Sequence, residues 1–328
     1  MASSNPQSQR ATVFIAASET DANLYYATKF IAPDPFIYLE IKGERILVMS
    51  DLEMDRAKSQ SSVDRVLSYS EVEGRAKTQG IAEPGTVEVV HILLRESGIT
   101  QILVPVNFPF GHAVKFQSLG YQLFPKRDPF YEQRVVKTAE EIRFIEVAQR
   151  ATEQAVAAAH DMLREASVNN DQLWFEGTPL TSERVKKLIN VKLMECDCVA
   201  QHTIVAGGEQ ACDPHNEGSG PLPAHRSIIF DVFPRSATNR YFADMSRTVV
   251  RGTPSPELKR LYQTVLDAQE EAITKVKDGA DGKRIHQGIC ARFEKSGYQT
   301  GLVNGRMQGY FHGTGHGVGL DIHEMPRI

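Results

Sequence analysis

The sequence predicts an α+β protein of two domains, and three observations carry that prediction. The first third alternates strand-like and helix-like segments at short intervals, the pattern of a small α/β layer domain. A long amphipathic helix then begins near Lys137 and opens a second region. Within that region Asp231 and Asp244 both lie inside apolar, aromatic-rich strand sequence, where a charge is costly. At 328 residues the chain is too long for one ordinary core, so two domains are the default. The expected boundaries are a disordered polar tail over 1–10, a first domain over 11–134 and a second over 135–328.

Each element has its own signal. TVFIAAS (12–18) is a β-branched run, and ANLYYATKF (22–30) follows with helical spacing. FIYLEI (36–41) and ERILVMSD (44–51) flank Lys42-Gly43, a two-residue hairpin signal. TVEVVHILLRESG (86–98) reads as a helix with Thr86 as N-cap and a terminal glycine, feeding the strand ITQILVPV (99–106). The helix FGHAVKFQSLG and the strand YQLFPKR close the first domain.

In the second region Thr138 and Glu141 form a capping box. Ile142, Ile145, Ala148, Ala155, Ala159 and Met162 mark that helix's apolar face. Residues 168–180 read as a loop and 181–194 as a second amphipathic helix. Strands are expected at HTIVAG (202–207), SIIFDVF (227–233) and YFADMSRTVV (241–250). Ser255 caps and Pro256 starts a third helix running to about Lys277, with Leu258, Leu261, Val265, Ala268, Ala272 and Val276 inward. A fourth covers roughly 282–295.

Composition excludes several functions. A net charge of −4 leaves no basic stripe for nucleic acid, and no apolar run approaches bilayer length. The first ten residues lack the apolar stretch of a secretory signal. Cys196 and Cys198 are too close for an easy disulfide, and no CxxC suggests structural zinc. The setting expected is therefore reducing and cytoplasmic.

The aspartates and the C-terminal histidines carry the chemistry. If the strands around Asp231 and Asp244 form a hairpin, its midpoint falls at Ala237–Thr238, and the two carboxylates stand opposed at roughly 5 Å. Like charges at that distance repel unless one takes a proton or a cation sits between them. A hard divalent ion answers the problem, a shared proton answers it too, and pairing of one carboxylate with Arg247 is the plain alternative. Further on, His312 and His316 stand four apart in HGTGHGVGLDIHE, but the intervening glycines argue against a helix. Alternating Gly313, Gly315, Gly317 and Gly319 fit an extended strand that another backbone or a ligand approaches closely. His215 lies in the polar turn CDPHNEGSG, where on its own it reads as a surface histidine.

Three motifs in order, HTIVAGGEQACDPHNEGSG, IIFDVFPRSATNRYFADMSRTVV and HGTGHGVGLDIHE, resemble the pita-bread metallopeptidases, specifically the Xaa-Pro aminopeptidase and prolidase group. The resemblance runs over nearly the whole chain and implies a creatinase-type N-terminal domain before a pita-bread catalytic domain. It implies two divalent ions (manganese, cobalt or zinc) held by two aspartates, one histidine and two glutamates. Carried onto this chain, Asp231 and Asp244 and His316 are the metal ligands, and His215, His312 and His323 surround the substrate. The implied reaction is hydrolysis of an Xaa-Pro peptide bond by a hydroxide held between the ions, in a homodimer. Two departures stand out: Asp231-Val232-Phe233 replaces the usual Asp-x-Gly, and the two glutamate ligands would follow Ile328, so the catalytic domain is expected to be truncated. The same fold also hosts an amidinohydrolase, a small-molecule lyase and non-enzymatic binding modules, which remain the alternatives.

Overall fold

The computed structural model describes residues 10–328, and the chain divides after Glu132 into two compact units. Residues 1–9 of the expected tail lie outside the described residues, and Arg10 already belongs to the first strand.

The first unit runs β1 (Arg10–Ala16), α1 (Ala22–Thr28), β2 (Phe36–Ile41), β3 (Glu44–Met49), α2 (Met54–Gln60), β4 (Arg65–Ser68), α3 (Tyr69–Thr78), α4 (Thr86–Glu96), β5 (Gln101–Pro105), α5 (Phe110–Ser118) and β6 (Gln122–Lys126). The strands form one mixed sheet in the order β4-β3-β2-β1-β5-β6. Period-two alternation sorts its side chains onto two faces. Val13, Ile15, Leu39 and Val48 pack with Val72, Val90, Leu94 and Phe116 from α3, α4 and α5. Phe14, Tyr38 and Leu47 face the other way and pack with Leu24, Phe30 and Ala57. The Lys42–Gly43 turn forms as expected, both residues having positive φ, with Ile41 paired to Glu44. Gly85 rather than Thr86 is the N-cap of α4, because the Glu88 carboxylate accepts the Gly85 N–H at 2.9 Å. Residues 54–78, whose pattern is too polar to stand out, supply α2, β4 and α3.

The second unit contains α6 (Ala139–Glu165), β7 (Ser167–Asn169), β8 (Gln172–Phe175), β9 (Thr178–Pro179), α7 (Ser182–Met194), β10 (Cys198–Val199), β11 (Ile204–Gly207), β12 (Ile228–Val232), β13 (Arg235–Ser236) and β14 (Met245–Val249). It continues with α8 (Pro256–Lys275), α9 (Gly282–Lys295), β15 (Gly301–Val303), β16 (Arg306–Gln308), β17 (His316–Gly317) and β18 (Glu324–Arg327). Thr138 and Glu141 make the expected capping box on α6. Ala148, Ala155, Val156 and Ala159 of that helix pack with Val185 and Ile189 of α7 and with Ile228, Phe230 and Val232 of β12. Their small size lets the helix lie close to the sheet. Ile142, expected inward, is exposed at the helix start.

Residues 168–180, expected as a loop, form β7, β8 and β9 instead. Positive φ at Asn170, Asp171, Glu176 and Gly177 makes two tight turns there. On α8 the buried residues are Thr264, Ala268 and Ala272. Leu261 and Val265, expected inward, are 40% and 48% exposed, so that apolar stripe is rotated from the contact with α9. No helix among the described residues is long and apolar enough to cross a membrane.

Candidate active site

Asp231 sits in the middle of a three-stranded antiparallel sheet, β11-β12-β14. Along β12 the buried Ile228, Phe230 and Val232 alternate with Ile229 and Asp231, which puts the carboxylate on the face away from the core. Its cross-strand partner on β14 is Ser246, whose hydroxyl donates to Asp231 Oδ1 at 2.8 Å. Asp244 is therefore displaced two residues from direct opposition, which corrects the expected register. The cause is the hairpin tip: the Ser236 N–H donates to Tyr241 O and the Ala243 N–H to Pro234 O, centring the turn on Thr238–Asn239. A shift of two keeps both aspartates on one face of the pleat.

The His316 ring stands against Asp244, with Nε2 at 3.4 Å from Oδ2. Its other nitrogen, Nδ1, lies 3.0 Å from the Gly317 carbonyl oxygen, which can only accept, so Nδ1 carries the proton. In the neutral ring the Nε2 lone pair then points at a carboxylate oxygen. That contact calls for something positive between them, a proton or a metal cation. Metal-binding histidines are oriented in this way, by donating the second ring N–H to a carbonyl. Burial raises the pKa of both aspartates; at Asp244 the Asp231 charge adds to the rise and His316 opposes it. At Asp231 the Ser246 hydroxyl, His323, His316 and His215 oppose the rise.

His323 stands edge-on to His316, ring centroids 4.4 Å apart, and its pKa is lowered by burial and then by His316. His215 is exposed on the loop after β11, close enough for its charge to act on Asp231. That loop is fastened to the sheet, the Val205 N–H donating to Glu217 O at 3.1 Å. His312 stands with a different group, edge-on to Tyr310 at 4.6 Å and exposed. The extended strand expected over the glycines is realised only as His316–Gly317. The close approach expected of them is present: a Cβ on Gly317 would meet the Met325 carbonyl, and one on Gly319 the Glu324 carboxylate.

Two oxygen donors and an imidazole suit a hard divalent ion in kind. Among the described residues, however, no three His, Cys, Asp or Glu side chains stand together as a formed metal-holding group. Asp231, Asp244 and His316 thus have the chemistry of a metal site without its closed geometry.

Sequence reasoning missed Arg134 and Lys137, which precede α6. The Arg134 guanidinium donates to Asp321 Oδ2 at 2.7 Å and to Glu324 Oε2 at 2.5 Å, and Lys137 Nζ lies 2.7 Å from Glu324 Oε1. Their signal was indirect: Asp321 and Glu324, set among apolar neighbours, need cations from elsewhere.

Residues 143–328, more than half of the chain, match the model of metallopeptidase family M24. The chain belongs to family M24. Among its M24 relatives, the Xaa-Pro dipeptidase of Pyrococcus furiosus is 29% identical over 202 residues, covering 61% of this chain and 52% of that protein. The chain thus matches about half the length of that relative. The Xaa-Pro dipeptidase of Pyrococcus horikoshii is 25% identical over 311 residues, covering 93% of this chain and 77% of its own. The solved structure of the prolidase from Pyrococcus furiosus superposes with a TM-score of 0.74 at 22% identity, covering 97% of this chain and 82% of that one. The M24 chain therefore has the α+β fold of the pita-bread prolidases.

Proposed function

We propose that this chain is a metal-dependent exopeptidase that removes the N-terminal residue from peptides with proline in second position. The observation that carries the reading is the contact of His316 Nε2 with Asp244 Oδ2 at 3.4 Å, with Asp231 on the same pleat face. Asp231, Asp244 and His316 would hold divalent ions (manganese, cobalt or zinc), two in the full set. Such ions, when bound, activate water and polarise the scissile carbonyl.

The chain's own residues do the rest. His323, its imidazole kept neutral by burial, suits hydrogen bonding to the scissile carbonyl or proton relay beside His316. His215 and His312 are proposed to surround the substrate together with His323. Ser246 keeps Asp231 Oδ1 oriented, leaving the second oxygen for a cation. A reducing, cytoplasmic compartment belongs to the same reading, in keeping with four free thiols, and a homodimer is part of the proposal.

A non-catalytic binding module of the same fold is the second reading, favoured by the lack of a three-donor group among the described residues. One experiment separates them. The full chain is assayed on Xaa-Pro dipeptides and longer Xaa-Pro peptides with manganese, cobalt or zinc, alongside Asp244→Asn. Metal-dependent release of the N-terminal residue that Asp244→Asn abolishes supports the exopeptidase. Stoichiometric metal without turnover in any ion, or no metal at all, overturns it.

A further inference from the structure

The segment carrying His316 and His323 is held by charges from a distant part of the chain. Asp321 and Glu324 flank His323, two residues before it and one after, and both bind the Arg134 guanidinium. Arg134 and Glu324 are deeply buried, with side chains 6% and 10% exposed. Lys137 takes the second oxygen of Glu324 and donates to the Arg134 carbonyl at 2.5 Å. A buried carboxylate without its cation is costly, so the turn cannot leave the guanidinium cheaply. Gly319 leaves the Glu324 carboxylate the room it needs.

The opposite wall reaches the same helix start. The Tyr241 hydroxyl donates to Glu141 Oε1 at 2.7 Å, and the Phe242 N–H donates to Gly319 O at 2.8 Å. The strand entering Asp244 and the turn bearing His323 therefore share one anchor, the stretch from Arg134 to Glu141.

We propose that Arg134 is a positioning residue: by gripping Asp321 and Glu324 it sets the His323 ring edge-on to His316 and beside the aspartates. This rests on reading His316 and His323 as site residues.

The test is nuclear magnetic resonance on the full, metal-free chain with labelled histidines, comparing wild type with Arg134→Gln and Glu324→Gln. Wild type should give a through-space cross-peak between the His316 and His323 rings. Both variants should lose it and shift the His323 signals, while the ring signals of His91 and His160 stay in place. Persistence of the cross-peak in either folded variant overturns the proposal. Should Arg134→Gln fail to fold, Glu324→Gln alone decides by the same criterion.

Manganese titration then separates the two readings. Wild type should show paramagnetic broadening of both His316 and His323, and in Arg134→Gln the broadening of His323 should fall several-fold relative to that of His316. A wild-type cross-peak without broadening defeats the metallopeptidase reading and leaves the positioning role standing. Broadening of His323 in Arg134→Gln equal to that in the wild type overturns the positioning role.

Discussion

Asp231 is half-buried and the Asp244 side chain is 30% exposed, and the fold disfavours the ionised form of both carboxylates. Their folded pKa values lie above the ordinary value of about 4, so their contribution to stability is present at low pH and lost as pH rises through the raised values. In metal-free chain at neutral pH, Asp244→Asn should therefore raise the melting temperature, and the gain should vanish as pH falls toward about 4. Manganese should raise the melting temperature of the wild type and leave the variant unmoved; a thermal-shift series over pH and metal reads both effects. His91 titrates in the opposite sense. Burial, then Arg95, lowers its pKa, and Nδ1 lies 2.8 Å from the Tyr121 hydroxyl. Its contribution is present above about pH 6.5 and lost as pH falls through the lowered folded value. The urea midpoint of the first unit should drop on acidification below about pH 6.5, and His91→Gln should flatten that slope.

At the scale of elements, α6 begins with a capping box whose Glu141 also accepts from Tyr241. Thr138→Ala should cost about 1 kcal/mol of stability, measured by denaturant unfolding. This start was legible because capping chemistry is local: Thr138, Glu141 and the apolar run lie within one short stretch. The Lys42–Gly43 hairpin was legible for the same reason. The aspartate pair and the histidines stood out because charged or polar groups in apolar strand sequence need a partner, whatever the fold. What escaped were relations between distant segments. Arg134 binds residues 187 and 190 positions away, and nothing near Arg134 announces them. The hairpin register depended on a four-residue tip, Ala237–Arg240, which allows more than one centre. The inward face of α8 could not be fixed because several apolar stripes compete on that helix, and packing on α9 chose Ala268 and Ala272.

The whole molecule has a hydrophobic core in each unit on either side of Glu132. Phe230 is fully buried in the second unit, and Phe230→Ala should destabilise it by about 3–5 kcal/mol. Trp174, the single tryptophan, lies in β8 of that unit, so its fluorescence transition in denaturant reads the loss. Within the second unit a main-chain bond from Phe242 N–H to Gly319 O joins the two walls of the candidate site. That amide is a built-in gauge. Its deuterium uptake, followed by mass spectrometry or resonance decay, times each parting of the walls, since the proton is released to solvent only when Gly319 moves away. One backbone position thus reports how often the two walls part, without any label, ligand or turnover.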